Sequence, residues 1–350
     1  MTVMTARRLS DRPTQRTTEI KCSKRAVYSV LFTNDGKQVL SGDEEGMLRR
    51  WRVDDGQEVG EPFRAQREIL AVALSPDGKW LACGLRPPWW QAIRYVFVRI
   101  WDARTHEKVL DIKDHTNSVF AMDVSPDSTK LVTGSYNKTA CIWNITTGEQ
   151  FVSPLQHDGV VMAVRFSPHG GRIATATAAE NDKDEKTAKS IRIYDSGNGL
   201  LLVQLDTPCM NNGSMISLAW TSDGRQLFAA SYGRVKQFDT FSGSLLKQWS
   251  VPGGGRLASV VLSRNQKLVV VTAYKSLSFW DMSTHQQIGA VIEHTSEVWW
   301  IALSPNDDQI VTGERNGKVT LRNLRDILPV SYFTINVSVQ LGSIVDSDTS

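Results

Sequence analysis

The sequence predicts an all-β fold assembled from seven copies of one short unit, and three regularities in its 350 residues carry that prediction. The first is a turn motif. It reads TNDG at Thr33, SPDG at Ser75, SPDS at Ser125, SPHG at Ser167, TSDG at Thr221, SRNQ at Ser263 and SPND at Ser304, at intervals of 42, 50, 42, 54, 42 and 41. The second is a β-rich run after the turn: KQVLSG (37–42), KWLACG (79–84), KLVTGS (130–135), RIATAT (172–177) and DQIVTG (308–313). The third is an aromatic residue followed by an acid or amide: Trp101-Asp102, Trp143-Asn144, Tyr194-Asp195, Phe238-Asp239 and Trp280-Asp281. A fixed period of this length marks a repeat architecture.

Each element of the unit follows from residue type. Short runs of Val, Ile, Thr and aromatics, punctuated by Gly, Asp and Asn, read as strands joined by hairpin turns. Five residues beyond the aromatic stands a turn residue, Gly56, His106, Gly148, Gly199, Gly243 or His285, and the outermost strand lies just before the next repeat, as KVLDIK does at 108–113. Four such strands per period make one blade of a propeller.

On these residues the chain resembles the WD-repeat β-propeller family, whose units end in Trp-Asp and run about 40–45 residues. The resemblance covers 16–323 and recurs seven times. It implies seven four-stranded antiparallel blades around a central channel, and a scaffold that holds other proteins. By the same offset RTTEIK (16–21) completes the last blade and clasps the ring, a closure that removes exposed sheet edges. PVSYFTI (329–335) is a rival for that place; the N-terminal clasp is favoured. The domain reading is a flexible tail over 1–15, the propeller over 16–336 and a disordered tail over 337–350.

With 41% hydrophobic residues the chain can bury a substantial core, and a propeller of this length is one unit. The net charge of +3, with no basic block beyond the first twenty residues, does not argue for nucleic acid. No apolar run reaches about 18 residues, so no membrane span or membrane partner is expected. The N-terminus lacks the apolar core of a secretory signal. Four cysteines (Cys22, Cys83, Cys141, Cys209) show no metal-type spacing and suggest a reducing interior, cytoplasm favoured over nucleus.

The repeat absorbs the candidates for chemistry. His115, His157 and His294 each lie ten residues before a turn serine, His106 and His285 sit at the turn after the aromatic, and His169 replaces Asp in SPHG. The family resemblance implies a buried hydrogen-bond chain of His, Ser/Thr, Asp and Trp across a blade. Carried over, it falls on His115, Thr133, Asn137 and Trp143 in the third blade, and on His294, Thr312, Asn316 and Arg322 in the seventh. Ser23, Ala65, Asn211 and Gly253 stand where histidine is expected elsewhere. No blade holds the full set, so sheet packing is expected to carry most of the stability. Neither GGG at 253–255 nor GG at 170–171 has the Lys-Ser/Thr of a phosphate loop, and no nucleophile elbow or zinc-protease motif occurs. No cofactor, metal or catalytic residue is assigned.

Binding by such a ring is expected where the innermost strands begin. Five residues before each turn stand Tyr28, Leu70, Phe120, Met162, Ile216, Ala258 and Trp299, six of the seven large and apolar. Tyr136, Arg256 and Arg315 join them on this upper face. Two readings stay open: these side chains plug the channel mouth, or they form an exposed ring for a protein or peptide partner. Only Arg256 and Arg315 are counted toward a phosphopeptide site, too few to favour one. An insertion, LRPPWWQAIRYVF (85–97), carries Trp89, Trp90, Arg94 and Tyr95 and reads as a partner-binding arm, a flap on its own blade or a sequence artefact. A second insertion, AAENDKDEKTAKS (178–190), reads as a solvated loop. The function expected is a non-catalytic interaction scaffold, with a sensor module of a larger protein as the alternative and a propeller enzyme a distant third. Self-association is left open.

Overall fold

In the computed structural model, which describes residues 17–87, 96–178, 190–206, 216–255 and 258–333, the strands form seven separate four-stranded antiparallel sheets. Blade 1 is built from β2 (Val27–Phe32), β3 (Gln38–Asp43), β4 (Met47–Arg52) and β5 (Phe63–Arg64). Blade 2 follows with β6 (Ile69–Leu74), β7 (Trp80–Leu85), β8 (Val96–Asp102) and β9 (Lys108–His115), and blade 3 with β10 (Val119–Val124), β11 (Lys130–Ser135), β12 (Thr139–Asn144) and β13 (Leu155–Gln156). Blades 4, 5 and 6 repeat the order from β14 (Val160–Phe166), β18 (Ser217–Trp220) and β22 (Ala258–Leu262), their innermost strands. Neighbouring innermost strands touch all the way round, and β26 (Val298–Leu303) of blade 7 touches β2 of blade 1. This is the seven-bladed ring that the spacing predicts.

The N-terminal strand closes it. β1 (Thr17–Lys21) pairs antiparallel with β28 (Lys318–Asn323) from Thr17↔Arg322 to Lys21↔Lys318, completing blade 7 outside β27 (Gln309–Glu314) and β26. Ile20 is buried in a cluster that joins blade 7 (Val311, Val319) to blade 1 (Val30, Trp51). Of the rival segment the described residues reach 333, and there Val330–Tyr332 form a short 3-10 turn beside blade 6, where Tyr332 Oη donates to Asp281 at 3.0 Å and Asn265 donates to the Tyr332 carbonyl at 2.6 Å. The outer edge of β28 is thus paired by a strand about 300 positions away in sequence.

Blades pack through small residues. A Cβ added at Gly134 of β11 would lie 2.6 Å from Val161 of the next blade, and Gly42, Gly84 and Gly313 face their neighbours in the same way. The glycine of the repeated TG or SG is therefore the contact that lets adjacent sheets approach. In blade 7, Gly317 has φ +82°, and its carbonyl accepts from the Cys22 and Ser23 N–H groups at 3.0 and 3.1 Å, which ties the clasp to the turn.

The hydrogen-bond chains differ from blade to blade. In blade 3, His115 Nε2 bonds Thr133 Oγ1 at 2.7 Å, and Trp143 Nε1 donates to the same hydroxyl at 2.9 Å. Asn137 joins through Thr139, whose hydroxyl donates to Asn137 Oδ1 at 2.7 Å and lies 3.3 Å from His115 Nδ1. In blade 4, His157 bonds Thr175 at 2.9 Å, and the Tyr194 hydroxyl lies 3.3 Å from the same ring nitrogen. Blade 1 uses Cys22, beside the expected Ser23: its thiol lies 3.1 Å from Ser41 Oγ, to which Trp51 donates at 2.8 Å. In blade 7, His294 Nδ1 pairs with Glu314 at 3.0 Å and Thr320 donates to the same carboxylate oxygen at 2.8 Å. Thr312 Oγ1 there has no hydrogen-bond partner among the described residues, and Asn316 accepts from the Lys318 N–H in its own turn. With Arg322 in the tryptophan position, the indole donor that would reach Thr312 is missing.

Burial fixes the protonation of these groups. It lowers both His115 and His157 to about 4, so the rings are neutral at physiological pH. It pushes the Cys22 thiol up to about 11 and Cys141 up to about 12, and raises Cys83 further. All three are free thiols and remain protonated, inert core residues.

Candidate functional site at the upper channel mouth

The apolar residues expected on the upper face share one backbone device. The ladder between the first two strands slips by one residue between Val27 and Ser29, Ile69 and Ala71, Val119 and Ala121, Val161 and Ala163, and Val298 and Trp300. The extra residues are Tyr28, Leu70, Phe120, Met162 and Trp299. A bulge leaves its extra residue out of the ladder and re-aims its side chain. Five blades therefore turn one large residue out of the sheet plane at the same height, and Ile216 lies just ahead of β18.

These side chains form a cap over the channel. Tyr28, Leu70, Met162 and Ile216 are buried, while Phe120 and Trp299 are half-buried. Tyr28 meets Trp299 edge-on with centroids 5.0 Å apart, and Phe120 lies 6.2 Å from Tyr136. Phe120 belongs to both halves, touching the Ala26–Tyr28–Leu70 cluster on one side and the Met162–Ile216 cluster on the other. Below the cap the channel itself is bridged. Arg165 of blade 4 holds its guanidinium 5.6 Å from the Trp300 ring centroid of blade 7, across the ring. The other innermost strands carry the small residues Ser29, Ala71, Ala121, Ala163, Ser217 and Ser259 at the Trp300 position.

Beside the cap, over blades 6, 7, 1 and 2, opens a basin of about 850 Å³. Tyr28, Trp299 and Tyr274 supply its aromatic wall, and Lys24, Arg25, Arg86 and Arg315 its cations. Its charged rim has a repeating construction. In four blades the N–H of the residue after β3, β7, β11 or β27 donates to the carbonyl of the residue just before the innermost strand: Glu44 to Ala26, Arg86 to Glu68, Tyr136 to Ser118 and Arg315 to Glu297, at 2.9–3.0 Å. Two side chains therefore stand together at the top of each of these blades. Blades 2 and 7 fill the pair with opposite charges, Arg86–Glu68 at 2.7 Å and Arg315–Glu297 at 3.1 Å, and in blade 1 Arg25 reaches Glu44 at 3.4 Å. Blade 3 fills it with Ser118 and Tyr136. This rim pair is thus charged in blades 7, 1 and 2 and uncharged in blade 3.

Sequence reasoning found the apolar cap but did not gather Lys24, Arg25 and Arg86 with Arg315. The signal was present: Arg86 occupies in its repeat the place that Glu44, Tyr136 and Arg315 hold in theirs. Arg256, and Trp89, Trp90, Arg94 and Tyr95 of the blade 2 insertion, lie outside the described residues. No group of three or more metal-ligating side chains occurs among the described residues, and no described helix is long and apolar enough to cross a membrane.

Comparison with known proteins agrees with this architecture. The family model described as "WD domain, G-beta repeat" matches residues 14–52, 106–144 and 285–323. The chain is 22% identical over 315 residues to "Periodic tryptophan protein 2 homolog" of Dictyostelium discoideum, covering 86% of this chain and 31% of that protein. It is 26% identical over 243 residues to "Apoptotic protease-activating factor 1" of Rattus norvegicus, covering 66% of this chain and 16% of that protein. It is 23% identical over 309 residues to "Actin-interacting protein 1" of Drosophila melanogaster, covering 87% and 48% respectively. The chain therefore spans less than half the length of each of these relatives.

Proposed function

The chain belongs to the WD-repeat β-propeller family, and from that premise we propose that it is a non-catalytic scaffold that binds protein or peptide partners on its upper face. The observation that carries this reading is the basin at the channel mouth. It sets the half-buried Trp299 and the exposed Tyr274 beside Arg25 and Arg315, whose side chains are 66% and 63% exposed. Aromatic and arginine side chains dominate the energetics of protein interfaces. Neither the family model nor the relatives point to a catalytic family. Tyr28, Leu70, Met162 and Ile216 then act as the floor that holds the surface in shape, and Phe120, Tyr136, Trp299 and Arg315 as the contacts. Free thiols at Cys22, Cys83 and Cys141 favour a reducing compartment, the cytoplasm or nucleus.

The test is partner capture from native extract by the wild type and by a Phe120→Ala/Trp299→Ala/Arg315→Ala variant whose fold is checked by circular dichroism and thermal unfolding. Specific partners lost by the folded variant support the upper face. Partners retained in full move the site elsewhere on the ring.

A second reading is a regulatory module working inside a larger protein. It is favoured by the relatives, in which the matched stretch is 31% and 16% of a longer chain. Its test is capture by the same stretch fused to its longest natural context, which should add partners.

A further inference from the structure

Resting on the upper-face reading, we infer that the basin selects an acidic peptide segment, one whose carboxylates meet the Arg25, Arg86 and Arg315 rim while an apolar residue seats against Tyr28 and Trp299. The first support is the charge around the basin, four cations (Lys24, Arg25, Arg86, Arg315) against three carboxylates, Glu44 and Glu297 in the lining and Glu68 paired with Arg86 beside it, an excess of one positive charge. The second is how the ion pairs are tilted. In Arg315–Glu297 the arginine side chain is 63% exposed and the glutamate 17%; in Arg25–Glu44 the values are 66% and 28%. The carboxylates lie low and the guanidiniums overhang, so an incoming chain meets cations first.

Exposed ion pairs hold each other weakly in water, which leaves these arginines free to exchange or share their partners. The planar guanidinium offers further N–H donors beyond those that face the glutamate, suited to a second carboxylate. Arg86 is the fixed member: it donates to Glu68 and lies over the Tyr28 ring at 5.4 Å, which joins the charged rim to the aromatic wall. The same distribution argues against a single phosphoryl group. Each arginine is already compensated by its own glutamate, so no one point concentrates the excess charge that a dianion requires. Positive charge is instead spread along three adjacent blades, which suits carboxylates spread along a chain.

The probe is a fluorescein-labelled peptide of sequence Asp-Glu-Glu-Leu-Asp-Glu, followed by fluorescence anisotropy against the full chain. Saturable binding is expected, weakening as salt rises from about 0.05 to about 0.5 M. Affinity should fall at least tenfold in Arg25→Ala/Arg315→Ala, a change confined to exposed side chains. Replacing the central leucine by glycine should also weaken binding, as should Trp299→Ala. The inference is overturned if the peptide does not bind, if the double variant binds it as well as wild type, or if a lysine-for-acid peptide or a neutral peptide with one phosphoserine binds more tightly. A failed peptide together with captured partners that the upper-face variant loses would remove the acidic class and leave the upper-face reading standing. A failed peptide with partners retained by that variant would remove both.

Discussion

Thr133→Val asks how much a buried hydrogen-bond chain contributes to one blade. Valine keeps the β-branched shape of threonine inside β11, so strand preference and packing volume change little. What is lost is one hydroxyl with two side-chain bonds, 2.7 Å to His115 and 2.9 Å from Trp143, at residues 1% and 3% exposed. Leaving a buried polar group unsatisfied costs about 1–3 kcal/mol, so two such groups give about 2–6 kcal/mol. Thr175→Val in blade 4 supplies the contrast, because the Tyr194 hydroxyl still reaches the His157 nitrogen. It should cost about half as much, on the order of 1–3 kcal/mol. The assay is urea unfolding followed by far-UV circular dichroism, with Thr133→Ser as the control that keeps the hydroxyl. The expected order of midpoints is wild type, Thr133→Ser, Thr175→Val, Thr133→Val, at an unchanged denaturant slope. If Thr133→Val unfolds within about 0.5 kcal/mol of wild type, the chain is ornamental and sheet packing alone holds the blade.

Two further perturbations follow from the same packing. Because burial lowers His115 and His157 to about 4, the unfolded chain binds more protons than the folded one between that value and the ordinary 6.5. The stability each contributes is whole above about 6.5 and is lost as pH falls through about 4, on the order of 3 kcal/mol per residue. Urea midpoints measured from pH 7.5 to pH 4 should fall in wild type and fall less steeply in His115→Asn; identical slopes would show that the histidines do not carry the effect. Turn carboxylates such as Asp35, Asp127 and Asp223 are held below their usual range and lose their contribution only at lower pH, which separates the two windows. Gly317→Ala should loosen the clasp, since the added Cβ lies 2.1 Å from the Ser23 carbonyl and the backbone has φ +82°. Hydrogen exchange should then quicken in 17–21 and 318–323 ahead of other strands; uniform quickening around the ring would contradict a local clasp.

The number and order of blades were legible because a turn motif, a β-rich run and a terminal aromatic repeat in phase. So was the height of the apolar cap, since counting back five residues from each turn lands on the bulge residue of five blades. Three things were not legible. Whether Tyr28 and Leu70 are exposed depends on which neighbours lean over them, and that is set by contacts between blades. Glu314 entered the blade 7 chain in place of Asn316 because a side chain one carbon longer than Asp reaches His294 from two positions upstream. The bridging of the channel by Trp300 and Arg165 pairs residues from blades three places apart, which no local pattern encodes. Arg86 is a fourth case of a different kind, for its repeat position was readable and only its grouping with Arg25 and Arg315 required the ring.

We propose that partners meet this propeller at its upper channel mouth. The most direct measurement places a photo-crosslinking amino acid at Arg315, on the rim of the basin, and separately at Gln266, on the opposite end of the ring beside the lower opening. After irradiation in native extract, discrete adducts are expected from the Arg315 position and none of matching size from Gln266. Adducts formed only from Gln266 would contradict it and move the binding face to the other end of the channel.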